Sequence, residues 1–128
     1  MYTRPEIEVM AINNPFIHVE SADVKETFTY SDHPIAIVDV FEFGGMWNPV
    51  NRLIMFDAKT WGSLNEEEKR ILLDHEIVER GLAMEDYAQY RSHSAAVGAN
   101  HAKANAIVSK RYGADVMDDL IARGLLAK

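Results

Sequence analysis

The pattern of apolar and polar residues changes character near the middle of the chain. Residues 16–30 alternate in short patches that suggest one or two edge strands. Ile35–Phe43 and Arg52–Asp57 are β-branched and aromatic runs typical of strands. A loop that begins at Gly44-Gly45 separates these runs, so we expect them to pair as antiparallel neighbours. We expect residues 1–15 to form a loosely ordered tail.

Helical periodicity begins after the second of these runs. Ser63-Leu64-Asn65-Glu66 fits the capping box that marks a helix N-terminus. Three consecutive glutamates, residues 66–68, then fall in the first turn, where the helix dipole favours negative charge. The pattern predicts a helix from this box to about Ala83 or Met84.

Two further helices are expected towards the C-terminus. The first begins at about Tyr87 or Ser94 and ends at Tyr112, with Gly113 as its C′ residue. The second covers Asp115 to about Arg123. Strands followed by about three helices define an α+β fold. Glycine and proline are scattered rather than gathered into a linker, so we predict one domain over residues 1–128.

Composition excludes several classes of site and partner. The 128 residues include no cysteine, which excludes disulfides, thiolate metal sites and cysteine nucleophiles and leaves histidine and carboxylate as the strong metal ligands. The formal charge of −7 disfavours nucleic acid as a partner. We find neither a signal peptide nor a membrane segment in the sequence, so a cytoplasmic location with no membrane partner is expected.

The most informative residues lie within the first predicted helix. His75 and Glu79 are spaced i, i+4, so their side chains point the same way, and their neighbours on that face are apolar. A buried carboxylate is costly unless it is paired, and a divalent metal bound jointly by both residues would remove that cost. Glu76 occupies the position from which H-E-x-x-H helices of zinc peptidases offer a general base, although the pattern here is H-E-x-x-E. The other interpretation is that Glu79 pairs with Arg80 or Lys69 and binds no metal.

Residues 74–80, Asp-His-Glu-Ile-Val-Glu-Arg, resemble a known family. The similarity is to small phage and bacterial proteins, regarded as zincin-like metallopeptidases, that carry an H-E-I-V-E-[RK] helix followed by a Y-x-x-A-H segment. It covers roughly residues 53–107. The second motif departs from the family pattern, since it reads Tyr90-Arg91-Ser92-His93, with one residue fewer and serine in place of alanine. The resemblance implies a minimal zincin-like domain, a zinc ion and hydrolysis of a peptide or protein substrate.

Two histidines are candidates for a third ligand. His93 matches the family-like position, whereas His101 lies eight residues later, about 12 Å further along a helix. Both cannot bind one ion if that helix is continuous; we favour His93 slightly and keep His101 as the alternative. The remaining histidine would orient substrate or serve as an acid. Tyr87 or Tyr90 could donate a hydrogen bond to an oxyanion, and we select Tyr90.

These residues predict metal-assisted hydrolysis. Three protein ligands leave a fourth position at the ion, where the pKa of water falls towards neutrality, and Glu76 would take the proton. An extended peptide would pair with an edge strand, for which Ile35–Phe43 and Arg52–Asp57 are candidates, although core burial is as good an interpretation of each. The alternative function is a non-enzymatic phage or mobile-element protein with a structural metal site that acts by binding a partner protein. Trp61 is expected in the core and Trp47 at an exposed contact.

Overall fold

Strands occupy the first half of the chain and the long helices the second, so the α+β prediction is confirmed. The computed structural model describes residues 1–40 and 44–127, which divide into two units, residues 1–65 and residues 66–128. The end of the predicted strand Ile35–Phe43, residues 41–43, lies outside the described residues. That residues 1–128 form a single domain stays a prediction.

Four strands form one mixed sheet in the first unit. They are β1 (Val24–Tyr30), β2 (His33–Val38), β3 (Gly45–Trp47) and β4 (Ile54–Asp57), in the order β1-β2-β4-β3. The edge strand predicted within residues 16–30 is therefore confirmed for β1, whereas residues 16–20 form no strand.

The prediction that the two apolar runs pair as antiparallel neighbours is wrong. β2 and β4 are adjacent but parallel, with Ile35 opposite Ile54, while β3 pairs with β4 in the antiparallel sense. The segment 39–53 between them has the length of a dozen or more residues that a parallel crossover requires. Both strands have neighbours on either side, which explains their continuous apolar sequence and means that neither offers a free edge to a peptide.

Residues 4–12 are helical, contrary to the expected loose tail. Helix α1 (Arg4–Ile12) begins with a reciprocal capping box, in which Thr3 accepts a hydrogen bond from the Glu6 backbone and the Glu6 side chain accepts one from the Thr3 backbone. Ile7 and Ala11 of this helix are buried against the sheet. The T-x-x-E signal at residues 3–6 is thus a helix start that the sequence analysis missed.

Side chains alternate between the two faces of the sheet along β2 and β4, and both sets are buried. Ala36, Val38 and Met55 share one apolar cluster with α1, so the intervening residues of these strands point to the other face. On that face Phe56 lies against Trp61, with ring centroids 4.9 Å apart. Trp61 is buried as predicted. Trp47, which pairs with Ile54 of β4, is only 1% exposed, so its predicted exposed contact is wrong.

The first long helix begins later than its predicted capping box implies. Helix α3 spans Glu66–Met84, which confirms its end and its acidic first turn. Ser63 is instead the C-cap residue of a short preceding helix, α2 (Ala58–Gly62), and its hydroxyl donates to the carbonyl of Thr60. That hydroxyl therefore stabilises the end of α2 rather than the start of α3.

Two more helices complete the second unit. Helix α4 spans His93–Tyr112 and α5 spans Ala114–Ala122, close to the predicted bounds. Gly113 between them has a φ of +100°, a conformation that glycine adopts readily and that ends α4 as predicted. Among the described residues, no helix combines the length and the apolar character needed to cross a membrane.

Candidate metal centre

The buried face of α3 carries the two ligands predicted from its sequence. His75 and Glu79 are each 1% exposed, one helical turn apart. Nε2 of His75 lies 2.9 Å from Oε2 of Glu79. The other ring nitrogen of His75, Nδ1, is buried, and no described residue makes a hydrogen bond to it. Packing therefore holds this imidazole with its Nε2 facing the carboxylate.

Helix α4 supplies the third member of the group. Nδ1 of His101 lies 2.6 Å from the same Glu79 oxygen, Oε2. The His101 ring stacks on that of His75, with centroids 5.8 Å apart and planes inclined by 10°. Because His101 belongs to a different helix, packing of α3 against α4 assembles the group.

His75, Glu79 and His101 form a group that could hold a metal ion. One ligand atom from each lies within 4.8 Å of the others. Nδ1 of His101 is buried, yet its short contact with Glu79 lacks the alignment of a hydrogen bond. Two imidazole nitrogens and a carboxylate oxygen suit zinc, whose ligands at about 2.0–2.2 Å from the ion are spaced roughly 3.3 Å apart. The donor atoms and their convergence therefore fit a divalent ion.

The two later histidines occupy different places on α4. The helix is continuous over residues 93–112, so His93 and His101 cannot join one group, and His101 is the one beside Glu79. The group that could hold an ion therefore contains His101 and not His93, the slightly preferred candidate, and the identity of the third ligand stays a prediction. His101 lies three residues before Ala104, an apolar position that is buried. The sequence thus offered a signal that His101 faces inward, although the family-like motif favours His93.

His93 has a different environment at the first turn of α4. Its Nδ1 lies 3.0 Å from the hydroxyl of Tyr87, whose residue belongs to the 3₁₀ turn Tyr87–Gln89. Partial burial lowers the pKa of His93, and the negative charge of Glu79 opposes that shift. The contact with Tyr87 ties the segment after α3 to the start of α4.

Glu76, the predicted general base, is buried beside the ligand group. Burial, and secondarily the charge of Glu79, raises the pKa of Glu76 well above its ordinary value. A cation held by the neighbouring His75, Glu79 and His101 would lower that pKa, because positive charge favours the ionised carboxylate. The protonation of Glu76 is therefore linked to occupancy of the site.

Tyr90, the predicted oxyanion donor, contacts a side chain of α4. Its hydroxyl accepts a hydrogen bond of 3.2 Å from the side-chain amide of Asn100. The same amide donates to the carbonyl of Ala96 at 2.7 Å, so the buried Asn100 is held from two sides. Asn100 directly precedes His101 in the sequence.

Another polar contact between α3 and α4 involves Asp74. Its Oδ2 accepts hydrogen bonds from the Tyr112 hydroxyl at 2.6 Å and from Nη1 of Arg111 at 3.0 Å. The sequence analysis missed this contact, because Arg111 follows Lys110 in the last turn of α4 and basic residues there are typical of a solvated helix face. Asp74 lies directly before the ligand His75.

No family model, curated protein or solved structure matches this chain. The function is therefore inferred from the geometry of His75, Glu79 and His101.

Proposed function

We propose that this protein is a zinc-dependent hydrolase, in which His75, Glu79 and His101 hold the ion and Glu76 is the general base. The observation that carries the proposal is the convergence of three buried or half-buried ligand atoms from two helices. Buried carboxylates and imidazoles are costly without a compensating charge, and a divalent cation supplies one. In a chain without cysteine, this donor set is the kind expected for zinc.

The number of ligands favours a catalytic site over a structural one. Structural zinc sites have four protein ligands, whereas catalytic sites have three and keep one position open. The described residues bring three ligands together. The side chain of His101 is 21% exposed, against 2% and 1% for those of His75 and Glu79, so the group is nearest to solvent at His101. We infer that water and substrate approach from that side.

Each residue then has a role in the proposed reaction. A bound zinc ion would lower the pKa of water and polarise the substrate carbonyl. Glu76 accepts the proton of the attacking water and returns it to the leaving amine. Tyr90 is the proposed oxyanion donor, since a hydroxyl that accepts a hydrogen bond from Asn100 can still donate its own proton. A peptide or protein as substrate is supported by the resemblance of residues 74–80 to zincin-like metallopeptidases.

The second candidate is a structural metal site in a protein that acts by binding a partner. The near-complete burial of His75 and Glu79 favours it, because an ion between α3 and α4 would stabilise the helix pair whether or not it reacts. In that case the ion stabilises the fold and Glu76 has no chemical role. The two candidates therefore differ in what Glu76 does.

Elemental analysis of protein purified without chelators, together with the variant Glu76→Gln, tests the proposal. We expect about one zinc per chain in both proteins, with cleavage of casein or a quenched fluorescent peptide mixture by the wild type alone. His18→Ala is the matched histidine control, since that side chain is 85% exposed and should affect neither zinc content nor cleavage. Zinc without cleavage supports the structural site, whereas cleavage that survives Glu76→Gln contradicts the role of Glu76 as general base. Protein that binds no divalent metal contradicts both candidates.

A further inference from the structure

A polar contact between α3 and α4 outside the group of His75, Glu79 and His101 joins Asp74 to the end of α4. One oxygen of Asp74 accepts both the Tyr112 hydroxyl and the Arg111 guanidinium. Hydrogen bonds to an ionised group are shorter and stronger than neutral ones, and the 2.6 Å contact with Tyr112 is of that kind. The Asp74 side chain is only 10% exposed, so water competes little for it.

Tyr112 and His101 lie on the same face of α4. They are eleven residues apart, which on an α-helix corresponds to a rotation of about 20° after three full turns and a distance along the axis of about 16 Å. Helix α4 is continuous between them, with Ser92 as its N-cap and Gly113 at its end. A shift or rotation at Tyr112 is therefore transmitted to His101.

The ligand group tolerates little movement of α4. Slipping a helix by one residue moves it about 1.5 Å along its axis and turns it by about 100°. Such a slip would remove His101 from its 2.6 Å contact with Glu79. Asp74 neighbours His75 in sequence, so the contact fixes α4 relative to the turn of α3 that carries a ligand.

We propose that Asp74, Arg111 and Tyr112 form a clamp that sets the register of α4 against α3 and thereby positions His101 for metal binding. This inference rests on the proposed metal site. The clamp residues touch no substrate in this proposal; they are positioning residues that act through His101. Replacing them should therefore lower the affinity for zinc, in addition to any effect on the stability of the fold.

The test uses the double variant Arg111→Ala/Tyr112→Phe of the full chain. We expect its zinc Kd, measured by competition with a chromophoric chelator, to rise about tenfold, the lower end of what loss of an outer contact costs a metal site. The visible absorption spectrum of the cobalt-loaded protein should also change, because it reports the arrangement of the ligands. The conservative variant Arg111→Lys keeps a positive charge and should remain close to the wild type in both measurements.

Arg123→Ala is the matched control. Arg123 makes ion pairs with Glu68 of α3 and Asp119 of α5, so its loss breaks contacts of the same helix without touching the clamp. Unchanged zinc affinity and cobalt spectrum in Arg123→Ala, with both altered in the double variant, support the clamp. If the wild type binds zinc and the double variant binds it equally well, or if the control weakens binding as much, the clamp is overturned and the metal site stands. A wild type that binds neither metal overturns both.

Discussion

The imidazole rings of His75 and His101 lie nearly parallel, with planes inclined by 10°, although they belong to different helices. Both rings also present a nitrogen within 3 Å of the same oxygen of Glu79, at 2.9 and 2.6 Å. Two stacked imidazoles that share one buried carboxylate give the interface between α3 and α4 a polar centre. Metal binding at this centre and its contribution to the fold can be measured separately.

Replacing the two histidines of α4 separately should distinguish their roles. His101→Ala removes one of three ligand atoms and is expected to lower zinc content by at least tenfold, because two remaining ligands hold the ion poorly. His93→Ala removes a side chain that contacts Tyr87 instead and should leave the zinc content unchanged. Metal content is measured by mass spectrometry after gel filtration. Equal loss in both variants would mean that the ligand set is wrong.

Removing the metal should destabilise the protein. A ligand that binds only the folded state at about 100 times its Kd adds about 2.7 kcal/mol to the free energy of unfolding. We therefore expect a lower Tm in EDTA than in excess zinc, measured by circular dichroism. Glu79→Gln removes the carboxylate that both histidines contact and is the control: its Tm should not respond to zinc. A zinc-dependent rise in that variant would place the ion elsewhere.

Much of the helical half could be predicted from sequence because its signals are local. The i, i+4 spacing of His75 and Glu79 fixes their common face, and Gly113 marks the end of α4 at a positive φ. The pairing of α3 with α4 is not local, so the choice of His101 over His93 required the structure. The same reason hid the contact of Asp74 with Arg111 and Tyr112, which joins residues 37 and 38 positions apart.

Less of the strand half could be predicted from the sequence. The two apolar runs identify β2 and β4, but a run buried on both faces carries no information about which neighbour it pairs with. Parallel pairing of Ile35 with Ile54 depends on the path of residues 39–53, which the alternation pattern does not describe. Helix α1 has a capping box at Thr3 and Glu6, yet only two of its residues, Ile7 and Ala11, are buried, so its apolar stripe is short.

The capping box of α1 should contribute measurably to stability. Thr3→Ala removes the acceptor for the Glu6 backbone N–H and is expected to cost about 1 kcal/mol in the free energy of unfolding. Thr3→Ser keeps a hydroxyl at the same position and should restore most of the loss. Urea unfolding gives the stability, and amide hydrogen exchange over residues 4–12 shows whether the effect is local. Equal stability in all three proteins would argue that α1 is held by Ile7 and Ala11 alone.

The buried side of α5 should be essential to the second unit. Leu120 is fully buried, so Leu120→Ala removes buried methyl groups and leaves a cavity, at an expected cost of about 2–5 kcal/mol. Ile107→Ala on α4 is the matched control, because that side chain is 44% exposed and its loss should change stability by less than about 0.5 kcal/mol. Urea unfolding measures both. Similar costs at the two positions would mean that the burial of α5 is not as described.

Tyr112 should make stability depend on pH in the alkaline range. Burial, and then the hydrogen bond to Asp74, raises the pKa of the Tyr112 hydroxyl in the folded protein. A group whose folded pKa is raised contributes stability that is fully present below its unfolded pKa of about 10 and is lost as the pH rises through the folded value. The urea midpoint of the wild type should therefore fall more steeply than that of Tyr112→Phe as the pH rises above about 10. All other ionisable groups are the same in both proteins, so the difference between the two curves isolates Tyr112. Parallel curves would show that its hydroxyl ionises as freely in the folded chain as in the unfolded one, and that its bond to Asp74 contributes nothing to the clamp.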